Sequence, residues 1–138
     1  MRIRLILMVL YSLFCLNAAL AQQPATEPMG VLLNGVGDGG TIHKDSLVKK
    51  ASLRCTNNKY TISYYTVSYV IKGELFTLEG FGQVLPPETL RDLFMVQQGR
   101  KIMFEDIKAK DMQGNTVKLA NFGIYINTLP SPSQGGVR

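Results

Sequence analysis

Glu105 and Asp106 are the one adjacent pair of carboxylates in the chain, and adjacency invites an acid–base reading. In a strand, neighbouring side chains point to opposite faces, so the two cannot readily flank one scissile bond. A bulge would soften that geometry. The expectation is nonetheless a solvated or ion-paired role, with Asp106 able to bind turn or cap N–H groups. His43 is the only histidine. A zinc site needs several ligands, and a nucleophilic triad needs exactingly placed partners that no local motif supplies. Neither HExxH nor GxSxG occurs, so His43 is expected on the surface or in a turn. Gly35, Gly37, Gly39 and Gly40 resemble a phosphate loop only superficially. That fingerprint requires a βαβ unit, which the strand-rich sequence downstream does not provide. No catalytic, cofactor or metal site is expected, which leaves a non-enzymatic protein.

Binding is the remaining chemistry. Lys108 and Lys110 share one strand parity, Lys118 lies across a proposed hairpin, and Lys101 begins the same strand. Together they suit an acidic partner, although lysines also guard sheet edges against unwanted pairing. Tyr65, Val67 and Tyr69 form an aromatic stripe that can serve as a platform or pack against neighbouring strands. Lys101, Lys108, Lys110, Lys118, Tyr65 and Tyr69 are therefore the candidate partner-binding residues. The second reading is a small-ligand or glycan-binding β module using the tyrosines, and the absence of tryptophan weakens it for sugars.

The elements that must position these residues are mostly strands. Tyr60, Ile62 and Tyr64 alternate, then Tyr65, Val67, Tyr69 and Ile71 continue one step out of phase. A single slip exchanges the faces, so a β-bulge is expected at Tyr64–Tyr65. Lys72-Gly73-Glu74 suits a hairpin turn into Leu75–Leu78. Ile102 and Phe104 alternate on one parity and Ile107 and Ala109 on the other, placing a second break at Glu105–Asp106. Asp111–Asn115, with Gly114, turns the chain. Val117, Leu119, Phe122, Ile124 and Ile126 then read as one last strand with a shift near Ala120–Asn121. Pro86-Pro87 can open a helix whose stripe is Leu90, Leu93 and Phe94, and Gly99 can close it. His43–Lys50 can add one short helical turn. The fold class is mainly β: an antiparallel β-sandwich-like (Ig-like) single domain with one short helix.

The ends of the chain carry addresses rather than structure. Arg2 and Arg4, an apolar run of 12 residues from Leu5 to Leu16, and Ala19-Leu20-Ala21 read as a cleavable signal peptide over residues 1–21. The run is too short for a bilayer, which takes about 20 apolar residues. Cys15, flanked by Phe14 and Leu16, makes a poor lipobox. Residues 22–30 are Pro-rich and read as a disordered lead-in, 31–129 as the folded body, and 130–138 as a flexible tail. Loss of Arg2 and Arg4 lowers the formal charge from +5 to +3, which is no footprint for nucleic acid. Cys55 is then the lone thiol, and its parity with Leu53 favours burial over an intermolecular bridge. The expected protein is exported and periplasmic, with secretion to the outside allowed and no membrane anchor after cleavage.

The run GRKIMFEDIKAKDMQGN-TVKLANFGIYI resembles the C-terminal periplasmic domain of GldM, the stalk protein of Bacteroidota gliding motility and type IX secretion. Gly99, Phe104, Ile107, Lys108, Ala109, Lys110 and Gly114 carry the similarity, supported upstream by Gly39–Ile42, Ser46-Leu47 and the Tyr65–Tyr69 strand. Asp111-Met112-Gln113-Gly114 keeps only the last glycine of that family's turn. A cleavable leader also replaces the stalk's membrane helix, so the stalk's motor role is not expected here. The resemblance implies a protein-binding module whose partner is another cell-envelope protein, with homodimerisation allowed.

Overall fold

Alternation governs most of the chain, and the computed structural model describes residues 29–128. Its strands are β1 (Val31–Leu33), β2 (Thr41–His43), β3 (Leu53–Cys55), β4 (Thr61–Ile71), β5 (Glu74–Phe81), β6 (Lys101–Lys110), β7 (Thr116–Lys118) and β8 (Phe122–Asn127). Helix α1 (Lys44–Lys49) follows β2, and α2 (Pro87–Met95) follows β5. β1 and β3 form a small sheet; the other six strands form a large one in the order β2-β8-β6-β4-β5, with β7 pairing β6 off that path. The fold is mainly β and sandwich-like, and the large sheet stays open, with β2 and β5 at the ends of its main path and β7 as a further short edge. Two points differ from the expected antiparallel arrangement with one helix. β2 and β8 pair in parallel, and α1 is a second helix, where the sequence suggested only one further turn.

The core is the seam between the two layers. Tyr65, Val67 and Tyr69 of β4, Phe104 and Ile107 of β6, and Ile124 and Ile126 of β8 line the inner face of the large sheet. They belong to one buried cluster with Val31, Leu33, Leu53 and Cys55 of the small sheet, Leu47 of α1 and Leu93 of α2. Burying each large apolar side chain is worth about 1.5–3 kcal/mol, so this seam holds the layers together. Cys55 is buried as its parity suggested, and burial pushes its thiol pKa up.

The β6 break falls where the alternation placed it, whereas the β4 break, expected at Tyr64–Tyr65, falls one step earlier, between Ile62 and Tyr64. Along β4, Ile62 is buried and the next buried residue is Tyr65, while the ladder to β6 shifts register on both sides of Tyr64. Along β6, Phe104 and Ile107 both face inward because Asp106 takes a left-handed backbone, φ 45°. The β4–β5 turn has Lys72 at φ 50° and Gly73 at φ 87°, the two positive values that a two-residue hairpin loop with native twist demands.

Other expectations need correction. The buried row of α2 is Thr89 and Leu93, continued by Val96, whereas Phe94 is half exposed. Val96, not Gly99, ends the helix: its N–H donates to the Leu93 carbonyl, and its backbone is extended at φ −63° and ψ 134°. Gly99, at φ 76°, serves the next turn and donates to the Ile126 carbonyl. The expected last strand is two, β7 and β8, which pair different halves of β6 on either side of its kink. Gly30 accepts from the Thr56 N–H and donates its own N–H to the Thr56 hydroxyl, and Met29 packs on the core, so both belong to the folded body rather than to a lead-in. The leader, residues 22–28 and the tail from residue 129 lie outside the described residues. Among the described residues no helix is long and apolar enough to cross a membrane.

Candidate protein-docking face

The outer face of the large sheet carries the lysines. Lys108 lies directly opposite Lys118 in the β6–β7 ladder, and Lys110 lies opposite Thr116. Two facing ammonium groups repel. Asp106 resolves the conflict, because the kink in β6 sends its carboxylate outward, 3.7 Å from the Lys108 ammonium and 3.5 Å from that of Lys118. Its backbone N–H is held by the Asn121 side chain. Glu105 emerges on the same face and accepts from the Ser68 hydroxyl. The expectation that the two carboxylates point to opposite faces is thus corrected by the bulge, and each is already engaged.

Aromatic rings thread between these charges. Lys108 sits over the Tyr64 ring, 4.8 Å from its centroid, and Tyr64 donates its hydroxyl to Glu79 of β5. Phe81 meets the Tyr64 ring edge-on, and Lys101 lies over Tyr125. A continuous chain of contacts therefore crosses the face from Glu79 through Tyr64, Lys108 and Asp106 to Lys118. Exposed ion pairs and cation–π contacts are each worth about 1 kcal/mol or less, so a partner can exchange them for its own at small cost. The hairpin that presents Lys110 and Lys118 is itself stiff. The Asp111 carboxylate accepts from the Asn115 side chain and from the Gln113 and Asn115 N–H groups, which holds its pKa below the usual carboxylate value.

Tyr65 and Tyr69 are not on this face. Both are fully buried, which corrects their assignment as partner-contacting residues. The Tyr65 ring lies against Gly80, where even a methyl group would come within 2.1 Å of the ring. Its hydroxyl is buried without a hydrogen-bond partner, and burial pushes its pKa up to about 12. Tyr69 instead donates to Asp92 of α2 at 2.7 Å, and burial followed by that carboxylate raises its pKa. The aromatics on the outer face are the half-buried Tyr64 and the exposed Phe81 and Tyr125, which the stripe argument missed. Plain alternation was the available signal, because adjacent strand residues face opposite ways, whereas a bulge at Tyr64–Tyr65 would put both on one face.

The remaining chemical candidates have structural roles. His43 is the N-cap of α1, accepting from the Asp45 N–H. The glycine-rich turn straps the sheet: Asp38 accepts from the Gly123 N–H, and Gly39 donates to the Gly123 carbonyl. Among the described residues no group of three or more His, Cys, Asp or Glu side chains is placed to hold a metal. In comparison with known proteins, no family model, no curated protein and no solved structure matches the chain.

Proposed function

We propose that this protein is an exported, non-enzymatic protein–protein interaction module that docks an acidic segment of another cell-envelope protein. The observation that carries the reading is the uncovered outer face at β6–β7, where Lys108 and Lys118 face one another across a single carboxylate. Two lysines share one aspartate, which leaves that cluster with a net positive charge, and the Tyr64 ring flanks it with apolar surface. The residues shared with the GldM C-terminal domain, Phe104, Ile107, Lys108, Ala109, Lys110 and Gly114, belong to this same hairpin. They support an accessory role in a secretion or gliding assembly. The signal-peptide pattern at residues 1–21 supports a periplasmic location. The glycan-binding alternative rested on Tyr65 and Tyr69, whose rings are core side chains.

The test is affinity capture from envelope extracts with the wild-type chain and with Lys108→Glu, Lys110→Glu and Lys118→Glu combined. Capture of an envelope partner by the wild type, lost in the variant and weakened by salt, is the expected result. An unchanged set of partners rejects this docking face. The mass of the mature chain tests export separately, with cleavage expected after Ala21.

A further inference from the structure

The β5 edge of the large sheet is uncovered and lacks the usual protections. Edge strands in stable monomers tend to be short, bulged, or studded with lysine or proline. The opposite edge, β2, obeys that rule with three residues running straight into α1. β5 has eight residues, its register against β4 is unbroken, and it contains neither Lys nor Pro. Leu75 and Phe81 are each 71% exposed on it.

The direction of its free backbone groups follows from the hairpin. Ile71 and Glu74 close a two-residue loop, so Glu74, Phe76, Leu78 and Gly80 direct their N–H and C=O groups toward β4. The Gly82 N–H bond to Ser63 continues that series. Leu75, Thr77, Glu79 and Phe81 therefore direct theirs away from the sheet, and β5 has no other neighbour.

We propose that β5 pairs antiparallel with β5 of a second copy of this chain, about a two-fold axis at Leu78. In that register Leu75 lies opposite Phe81 of the second copy and Thr77 opposite Glu79, and every outward backbone group on those residues is satisfied. The most exposed apolar side chains cover one another on the outer face. On the inner face Leu78 meets its own copy, and Phe76 lies opposite the second copy's Gly80, whose inner side the Tyr65 ring already covers. No carboxylate lies directly opposite another: Glu74 falls opposite Gly82 and Glu79 opposite Thr77, with the two copies of Glu79 only diagonal to one another. A slip of one pairing step toward the β5 C-terminus would set Glu79 against Glu79, and the reverse slip would leave Phe81 facing the Lys72–Gly73 turn. The edge is thus complementary to itself in one register. This pairing uses a different surface from the lysine hairpin, so either can fail without the other.

The experiment is sedimentation equilibrium on the full chain, followed by a charge swap. The wild type is expected to be dimeric at millimolar concentration. Leu75→Lys with Phe81→Lys sets like charges against one another across the axis and is expected to weaken self-association at least about tenfold. Leu75→Glu with Phe81→Glu is expected to do the same, and mixing the two variants should restore a dimer. Amide hydrogen exchange on the wild type needs no variant: Leu75, Thr77, Glu79 and Phe81 should lose protection on dilution, while Phe76 and Leu78 keep theirs. A monomeric wild type overturns the proposal. So does a dimer that survives in the Lys variant, or dilution-independent exchange at those four amides.

Discussion

The inner and outer faces of the large sheet are built from neighbouring residues but held in opposite ways. Tyr65, on the inner face, is fully buried with its hydroxyl unpaired, and its ring packs on Phe104 at 5.8 Å. Tyr64, one residue earlier, gives its hydroxyl to Glu79 and its ring to Lys108. An unsatisfied buried hydroxyl costs about 1–3 kcal/mol, and the inner face carries that cost because ring burial outweighs it. The outer face satisfies its polar groups through many weak, exchangeable contacts. One face therefore holds the fold together, while the other is free to be used.

Truncation on each side measures that difference most directly. Phe104 stacks on Phe122 at 4.9 Å and is completely buried. Phe104→Ala is expected to cost ~3–5 kcal/mol, read from the shift in urea midpoint. Tyr64→Ala, on the exposed side of the same sheet, should cost about 1 kcal/mol or less. Comparable losses at the two positions would break the distinction between the faces.

A smaller effect separates the two inner-face tyrosines. Tyr69→Phe strands the Asp92 carboxylate and should cost about 1.5 kcal/mol or more, since bonds to charged acceptors are the stronger ones. Tyr65→Phe removes only an unpaired hydroxyl and should be neutral or stabilising by up to ~1 kcal/mol. The pH dependence sharpens the pair. The unfolded phenol ionises near 10.0, whereas the folded Tyr65 holds its proton up to about 12. Between those values the unfolded chain binds fewer protons than the folded one, so stability is full below pH 10 and declines as pH rises toward 12. Tyr65→Phe should flatten that alkaline limb in midpoints measured across the window. An alkaline limb as steep as that of the wild type would mean that Tyr65 ionises freely in the folded state.

Parity in the sequence showed both bulges, both hairpins and the burial of Cys55, because period two reports which residues share a face. It does not report which face is covered, and for that reason Tyr65 and Tyr69 could be read as a surface platform. The parallel β2–β8 pair was invisible for a different reason. Three residues are too few to show a period, and their register is set by the Asp38 and Gly39 bonds to Gly123 across a long separation. The helix stripe failed at Phe94 because spacing alone cannot tell a row ending at Phe94 from the Thr89, Leu93 and Val96 row. The threonine in the true row carried no hydrophobic signal. For the docking face, the lysines were legible from their spacing. Their shared carboxylate was not, because placing Asp106 between them required knowing that the kink turns it outward.

The smallest effect is expected at that carboxylate. Asp106→Asn keeps a residue that tolerates the left-handed backbone at φ 45° and preserves the N–H bond to Asn121. What it removes is the negative charge between Lys108 and Lys118, whose backbones face each other directly. At ordinary ionic strength the stability change should stay within about 1 kcal/mol, and it should grow as salt is lowered, because exposed charges are screened over roughly 10 Å at 0.1 M. Thermal midpoints of wild type and variant compared across salt concentrations check this. A loss that is large and insensitive to salt would show that Asp106 holds the kink by more than charge, and would move this part of the outer face into the class of the inner one. A small, salt-dependent loss would leave the lysine pair held in place by the backbone ladder rather than by its counter-ion. A cationic site must meet that condition if it is to give up its own aspartate for a partner's carboxylate without unfolding.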